Sequence, residues 1–389
     1  MKQIHICHIS QSAGGVEQHI LGIINYCDKN KFRHTVICYN NGTLAATARE
    51  AGAEIRLVPM VREISPYQDL LSLGRIILEL RKLRPHLIHA HSGKGGLFGR
   101  LAGMMSSIPV VFTPNAFSYL SQQGFKRSFL LNLERMLALT PAVMAASSTS
   151  EALRAIREVW WLPRKVTDCF PDHPSPLMFR GEMVQHFPKN EIKVLMIARL
   201  SHQKNPEMLL RVAALTREQS PDINFNILGG GYGDELGQDF FKMVAALGLT
   251  GVVKVIPWGD SAAVENELLN SDIYVSTSRY ESFGIATAEA MSKGIPVVAT
   301  RIDGSIDLVD HNETGFLVDL DDDGQMAERV LQLAKDHRLR KRMGAAAKNK
   351  IERCYDIQKN IKYIESLYLG LANKRFSAAN LARLCRIVN

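Results

Sequence analysis

Short runs of β-branched and apolar residues alternate with amphipathic stretches of 10–20 residues along most of this chain. Strands are expected at 3–9, 34–38, 54–58, 86–90, 109–113 and 142–146. Between two of them, Leu70, Leu71, Ile76, Ile77, Leu80 and Leu83 recur at the i, i+3, i+4 spacing of a helix with one buried side. Strand and helix repeated in this way predict a parallel sheet covered on both faces. Pro163, Pro171, Pro174, Pro176 and Pro188 then break the pattern and mark 161–190 as connecting chain. Alternation restarts at Ile192–Ala198, with further strands expected at 223–228, 252–256, 272–276, 296–299 and 315–318. The reading is α/β: two doubly wound parallel-sheet domains, 1–172 and 191–355, joined by a linker at 173–190. A basic helical segment, 356–389, follows them.

The composition agrees with a chain that buries full-sized cores. Of its 389 residues 46% are hydrophobic and 22% charged, which excludes a disordered or fibrous chain. Cys7, Cys27, Cys38, Cys169, Cys354 and Cys385 are scattered, with no CxxC pair and no histidine at zinc-binding spacing. They read as free thiols of a reducing compartment, and no metal ligand is expected. The apolar stretch Ile4–Ile9 is short and interrupted by histidine, so it reads as a strand and not as a leader. No run approaches the ~18 apolar residues of a membrane-spanning helix. The expected location is cytoplasmic.

Charge is uneven. Residues 1–172 hold 20 Lys and Arg against 12 Asp and Glu, whereas residues 173–355 hold 21 against 25. A basic surface suits nucleic acid, anionic lipid or a phosphorylated substrate. No helix-turn-helix, zinc finger or RNA-binding aromatic signature supports the first.

Ligands of doubly wound sheets bind beyond the carboxyl ends of the strands. Gly14 and Gly15 follow the first strand and precede a helix, as a simple turn or as a loop whose N–H groups meet an anion. Arg199 and Lys204 follow the first strand of the second domain, as solvated charges or as a pair suited to a diphosphate. Glycines including Gly230 follow the next strand, in a spacing that departs from the dinucleotide fingerprint. In Ser276–Ala290, Glu281 falls in a strand-end loop and Glu289 a turn or more into the next helix. Carboxylates at a helix N-terminus do not bind phosphate, but they accept hydrogen bonds from sugar and ribose hydroxyls.

The stretch from Glu281 to Glu289, with Phe283-Gly284 inside it and Ala290–Ala299 after it, resembles the nucleotide-sugar signature of retaining glycosyltransferases of family 4. Arg199 with Lys204 is similar to that family's cation pair, Gly14–Glu17 to its N-terminal glycine loop, and Ile88–Ser92 to its His-x-His-Ser element. Asp303–Asp307 followed by Gly315–Val318 is similar to the segment closing its donor domain. These matches occur in the family's order over about residues 1–355.

The resemblance implies a GT-B fold, with two Rossmann-like domains facing across a cleft, donor in the C-terminal domain and acceptor in the N-terminal one. It implies net retention, no metal, and a C-terminal segment that crosses back onto the first domain. Carried over, Arg199 and Lys204 neutralise the leaving diphosphate, and Glu281 orients the donor sugar with backbone N–H groups near Phe283, Gly284 and Ile285. Glu289 holds the ribose, Gly230 belongs to the donor loop, and Gly14 and Gly15 approach the diphosphate. Asn115 stands where the family usually has histidine in Thr-Pro-His-Gly, and Asp307 where glutamate is common. The Asn115 exchange bears on sugar preference more than on reaction class.

His91 is expected either to pack at its strand end or to stand on the acceptor side, together with Lys126 and Arg127. These two lie in Ala116–Leu139, an aromatic, basic, amphipathic stretch that fits either a lipid interface or a helix packed on the sheet. The expected activity is a retaining, metal-independent hexosyl transfer from a nucleotide sugar, a UDP-sugar, to a glycan or lipid-linked acceptor in cell-surface polysaccharide synthesis. No cofactor beyond that substrate and no nucleic acid is expected, and contact with the inner face of an anionic membrane is. Alternatives are a transferase with a small soluble acceptor and a catalytically silent GT-B partner subunit.

Overall fold

A computed structural model describes residues 3–11, 14–39, 43–61, 63–167, 183–184, 191–229 and 235–373. The chain divides into two compact units, Met1–His173 with Ile357–Asn389, and Pro174–Asp356.

In the first unit the strands are β1 (Ile4–Ser10), β2 (Phe32–Cys38), β3 (Glu54–Leu57), β4 (Leu87–His91), β5 (Val110–Thr113), β6 (Ala142–Ala145) and β7 (Val166–Thr167). They pair in parallel in the order β3-β2-β1-β4-β5-β6-β7. The order reverses between β1 and β4, which opens a crevice at their carboxyl ends. The helices are α1 (Gly15–Tyr26), α2 (Leu44–Glu50), α3 (Pro66–Leu83), α4 (Gly93–Ser106), α5 (Gly124–Ala138) and α6 (Thr149–Arg157). α3 covers the predicted periodic residues and starts four residues before the first of them, at Pro66, which supplies a fixed φ and lacks an N–H that the first turn could not satisfy. The short β7 was not expected. It lies inside the proline-rich stretch 161–190 and pairs with β6, so that stretch begins as a sheet edge.

The second unit holds β8 (Ile192–Ile197), β9 (Ile223–Leu228), β10 (Val253–Ile256), β11 (Ile273–Ser276), β12 (Val297–Thr300) and β13 (Gly315–Val318), all parallel, in the order β10-β9-β8-β11-β12-β13. Its helices are α7 (Pro206–Arg217), α8 (Glu235–Ala246), α9 (Ser261–Leu269), α10 (Ile285–Ser292), α11 (Ser305–Leu308), α12 (Asp323–Lys335) and α13 (His337–Cys354). Met196, Leu209, Phe225, Ile273, Val298, Phe316 and Val330 meet in its core.

The last helix, α14 (Ile357–Ala372), returns to the first unit. Its Ile361, Ile364, Leu367 and Tyr368 share a core with Ile6, Ile23, Phe32 and Val111. The basic residues beyond Asn373, and most of the linker 173–190, lie outside the described residues. No helix among the described residues is long and apolar enough to cross a membrane.

Candidate active site

In the second unit two strand-end loops are stitched together. Thr277, just past β11, donates its hydroxyl to the carbonyls of Lys204 and Asn205, each at 2.8 Å. The Arg279 N–H donates to the Gln203 carbonyl at 2.8 Å, and the Gln203 amide returns a bond to Tyr280 at 3.2 Å. These bonds fix the loop after β8 against the loop after β11. Lys204 and Glu281 meet there as an ion pair, and Ser278 donates to the same Glu281 oxygen at 3.0 Å.

Gly284 ends the second loop with φ 97°, a left-handed conformation that glycine adopts without strain, and α10 begins at the next residue. The first N–H groups of α10, including that of Ile285, have no partner within the helix, so the loop presents donors and a positive dipole end beside Lys204. Lys204, Ser276, Ser278, Glu281, Gly284 and Thr287 line a small pocket. The Phe283 ring is buried against Tyr355, edge to face at 5.3 Å, so only its backbone is available to a ligand. Gly304 closes over it. A Cβ there would sit 2.6 Å from the Phe283 carbonyl oxygen, and φ is 75°.

Glu289 lies one turn into α10, and burial pushes its carboxyl up to about 7. Burial raises the Tyr274 hydroxyl above its ordinary range, and the charges of Glu289 and Glu281 add to this, so both carboxylates stand near that ring. Arg199, past the end of β8, is exposed and makes no ion pair among the described residues. Gly230 lies outside the described residues.

In the acidic run 319–323, three aspartates have partners of their own. Asp322 caps α12 by accepting from the Gln325 N–H at 2.9 Å. Asp321 accepts from Arg279 at 3.0 Å and from the Asn205 amide at 3.2 Å, and Asp323 pairs with Arg211 at 2.5 Å. These acids therefore brace the Lys204 loop from behind.

In the first unit, Gly14 (φ 79°) caps α1, and nothing lies within 4 Å of where a Cβ would stand on Gly14 or Gly15. An anion could approach both. Asn115 follows β5 in a left-handed conformation, φ 50°, and its Oδ1 is buried without a partner among the described residues. The turn is held by Glu151, which accepts from the Ala116 N–H at 2.9 Å and the Ser147 N–H at 2.8 Å. Sequence reading missed Glu151, although Ser148-x-x-Glu151 is the spacing of a helix capping box. Glu17, quoted only as part of a motif, accepts hydrogen bonds from Thr43 and Thr47 and ties α1 to α2.

His91 is not at the surface. It is fully buried, 3.0 Å from His8, beside His89. Lys126 and Arg127 are exposed on α5. That helix buries Glu134, Leu137 and Ala138, while Phe125 is 85% and Leu139 83% exposed.

Residues 13–167 match the model of glycosyltransferase family 4, and residues 182–350 that of glycosyl transferases group 1. The UDP-Gal:alpha-D-GlcNAc-diphosphoundecaprenol alpha-1,3-galactosyltransferase of Escherichia coli is 25% identical over 95% of this chain and 97% of its own. CapM of Staphylococcus aureus, a capsular polysaccharide biosynthesis glycosyltransferase, is 24% identical over 80% of this chain and 84% of its own. The structure of HepE from Anabaena in complex with UDP-glucose superposes with a TM-score of 0.78 at 19% identity, over 94% of this chain and all of that one. With its two Rossmann-like units matched in order by two models of one enzyme class, the chain belongs to glycosyltransferase family 4 and has the GT-B fold.

Proposed function

We propose that this glycosyltransferase moves a hexosyl group from a UDP-sugar to a lipid-linked or polysaccharide acceptor, with retention and without a metal ion in the transfer step. The observation that carries the reading is the Lys204–Glu281 pair beside the N-terminus of α10. Lys204, with Arg199 and the α10 N–H groups, neutralises the charge that grows on the departing diphosphate. Glu281 accepts hydrogen bonds from the transferring sugar and Glu289 from the ribose. The acceptor oxygen bonds to the anomeric carbon as the bond to the β-phosphate breaks, on the same face of the ring. The acceptor proton passes to the leaving phosphate oxygen, so no protein base is consumed.

The donor assignment draws support from the UDP-galactose in the name of the Escherichia coli relative and the UDP-glucose bound to HepE. The acceptor assignment draws on the diphosphoundecaprenol of the same relative and the capsular role named for CapM. Peripheral contact with an anionic membrane from the cytoplasmic side belongs to the same reading. Phe125, Phe129 and Met136 are exposed on α5 beside Lys126 and Arg127, Leu139 is exposed just past its end, and Arg135 stacks 3.7 Å over the exposed Trp160.

The test assays the purified protein, with excess EDTA present, on several UDP-sugars and a diphosphoundecaprenol-linked sugar, reading the new anomeric configuration by NMR. Flotation with anionic vesicles runs beside it. An α-linked product and co-flotation are expected. Inversion, dependence on added metal, or turnover confined to small soluble acceptors would overturn the corresponding part.

A further inference from the structure

Imidazoles converge on one face of the first sheet. Strand register pairs His8 of β1 with His89 of β4 and sets His91 two residues further along the same face. His34 of β2 stands diagonally across on that face. His8 Nδ1 is 3.0 Å from His91 Nε2, and His8 Nε2 is 3.0 Å from His34 Nδ1. His89 is held at Nδ1 by the Tyr368 hydroxyl, 2.6 Å, and at Nε2 by the Thr113 hydroxyl, 2.8 Å. His8, His89 and His91 have no exposed surface.

Each neutral imidazole has one N–H to give. With the protons running from His91 through His8 to His34, both ring-to-ring contacts are satisfied. His91 Nδ1 then keeps an unused lone pair, buried and without a partner among the described residues. Buried polar atoms without partners are costly, and an aliphatic side chain at position 91 would avoid that cost.

We propose that His8, His89 and His91 form a buried site for one divalent transition-metal ion of the zinc type, tying β1 to β4 and taking no part in sugar transfer. One ring nitrogen from each of the three lies within 4.8 Å of the others. A tetrahedral site with metal–nitrogen bonds of about 2.0–2.1 Å spaces its ligand atoms by about 3.3 Å, within reach of modest ring rotation. Adjacent paired strands hold all three ligands, so the frame is rigid. The group contains neither carboxylate nor thiolate, and three imidazoles favour zinc, copper, nickel or cobalt over magnesium and calcium. His8 and His89 each trade one hydrogen bond for a metal bond and keep another, to His34 and to a Tyr368 or Thr113 hydroxyl, which fixes ring orientation.

The test uses the full chain, stripped by a strong chelator and titrated with Zn²⁺ alone and with Co²⁺ alone. Expected are one equivalent retained through desalting, intense visible ligand-field bands with Co²⁺, and a higher Tm on loading. His89→Gln and His91→Gln should each lower zinc affinity at least tenfold, while His34→Gln, outside the ligand set, should keep the cobalt bands. Should a variant fail to fold, the wild-type cobalt spectrum decides alone. No retained equivalent, a six-coordinate aqua-like spectrum, or affinity unchanged in folded His89→Gln and His91→Gln would overturn the proposal.

Discussion

The ammonium of Lys204 is paired with the carboxylate of Glu281, across two loops that Thr277 binds together. The cation suited to a diphosphate and the carboxylate suited to a sugar are thus each other's partners. A donor that engages both must divide the pair between its phosphate and its hexose.

Lys204→Ala should lower kcat by roughly 10²–10³, the usual cost of removing one stabiliser of a leaving group's charge. Because the side chain is partly exposed at a loop, circular dichroism should be unchanged. A folded variant with near wild-type rates would remove Lys204 from the chemistry.

Glu281 and Glu289 should fail differently. Glu289→Ala is expected to weaken UDP and UDP-sugar alike, because the ribose does not react. Glu281→Ala should lower kcat strongly while keeping or tightening UDP affinity, since it also releases Lys204. Calorimetric titration with UDP beside steady-state rates separates them. Equal losses of UDP affinity would show the roles to be misassigned.

The Glu289 carboxyl, raised to about 7, supplies a pH signature. Its ionised form is the stronger acceptor of ribose hydroxyl bonds, so UDP affinity should rise between roughly pH 6 and 8. Stability runs the other way. A carboxyl whose folded pKa exceeds its unfolded value contributes stability fully at low pH and loses it as pH rises through 7. Glu289→Gln should flatten the affinity profile and become relatively more stable than wild type above pH 7. Titration and melting across that range check both signs, and an unchanged affinity profile in the variant would exclude Glu289 as the group responsible.

Gly304→Ala should disturb the donor loop without touching a ligand. The added Cβ meets Phe283 backbone at 2.6 Å and stands at a positive φ, which together cost about 1–3 kcal/mol. Lower Tm with reduced kcat/KM is expected, and a variant as stable and active as wild type would mean that the loop yields freely.

In the first unit, Arg100 is fully buried, 2.9 Å from Glu134 and 3.9 Å over the Phe112 ring. Glu134→Ala strands that guanidinium and should cost about 3–5 kcal/mol in denaturant unfolding. A loss under 1 kcal/mol would show that the charge finds water.

Most strands were legible because β-branched runs between amphipathic helices leave few other folds, and the Glu281–Glu289 stretch was legible because one loop and one helix hold it. Other features depend on register and not on spacing. His8, His34, His89 and His91 come from three strands, and pairing alone brings them together. The two-residue β7 carried too little pattern to outweigh the prolines around it. Asp321 and Asp323 pair with Arg279 and Arg211, which are remote in sequence, so spacing does not reveal those bonds.

The return of α14 has a consequence for how the protein is made. Ile361, Ile364, Leu367 and Tyr368 fill the first unit's core, yet they leave the ribosome after every strand of the second unit. The half synthesised first is therefore the half completed last. Until α14 docks, Ile6, Phe32 and Val111 lack part of their covering, and a nascent chain arrested before residue 357 would carry a finished second unit beside an unfinished first.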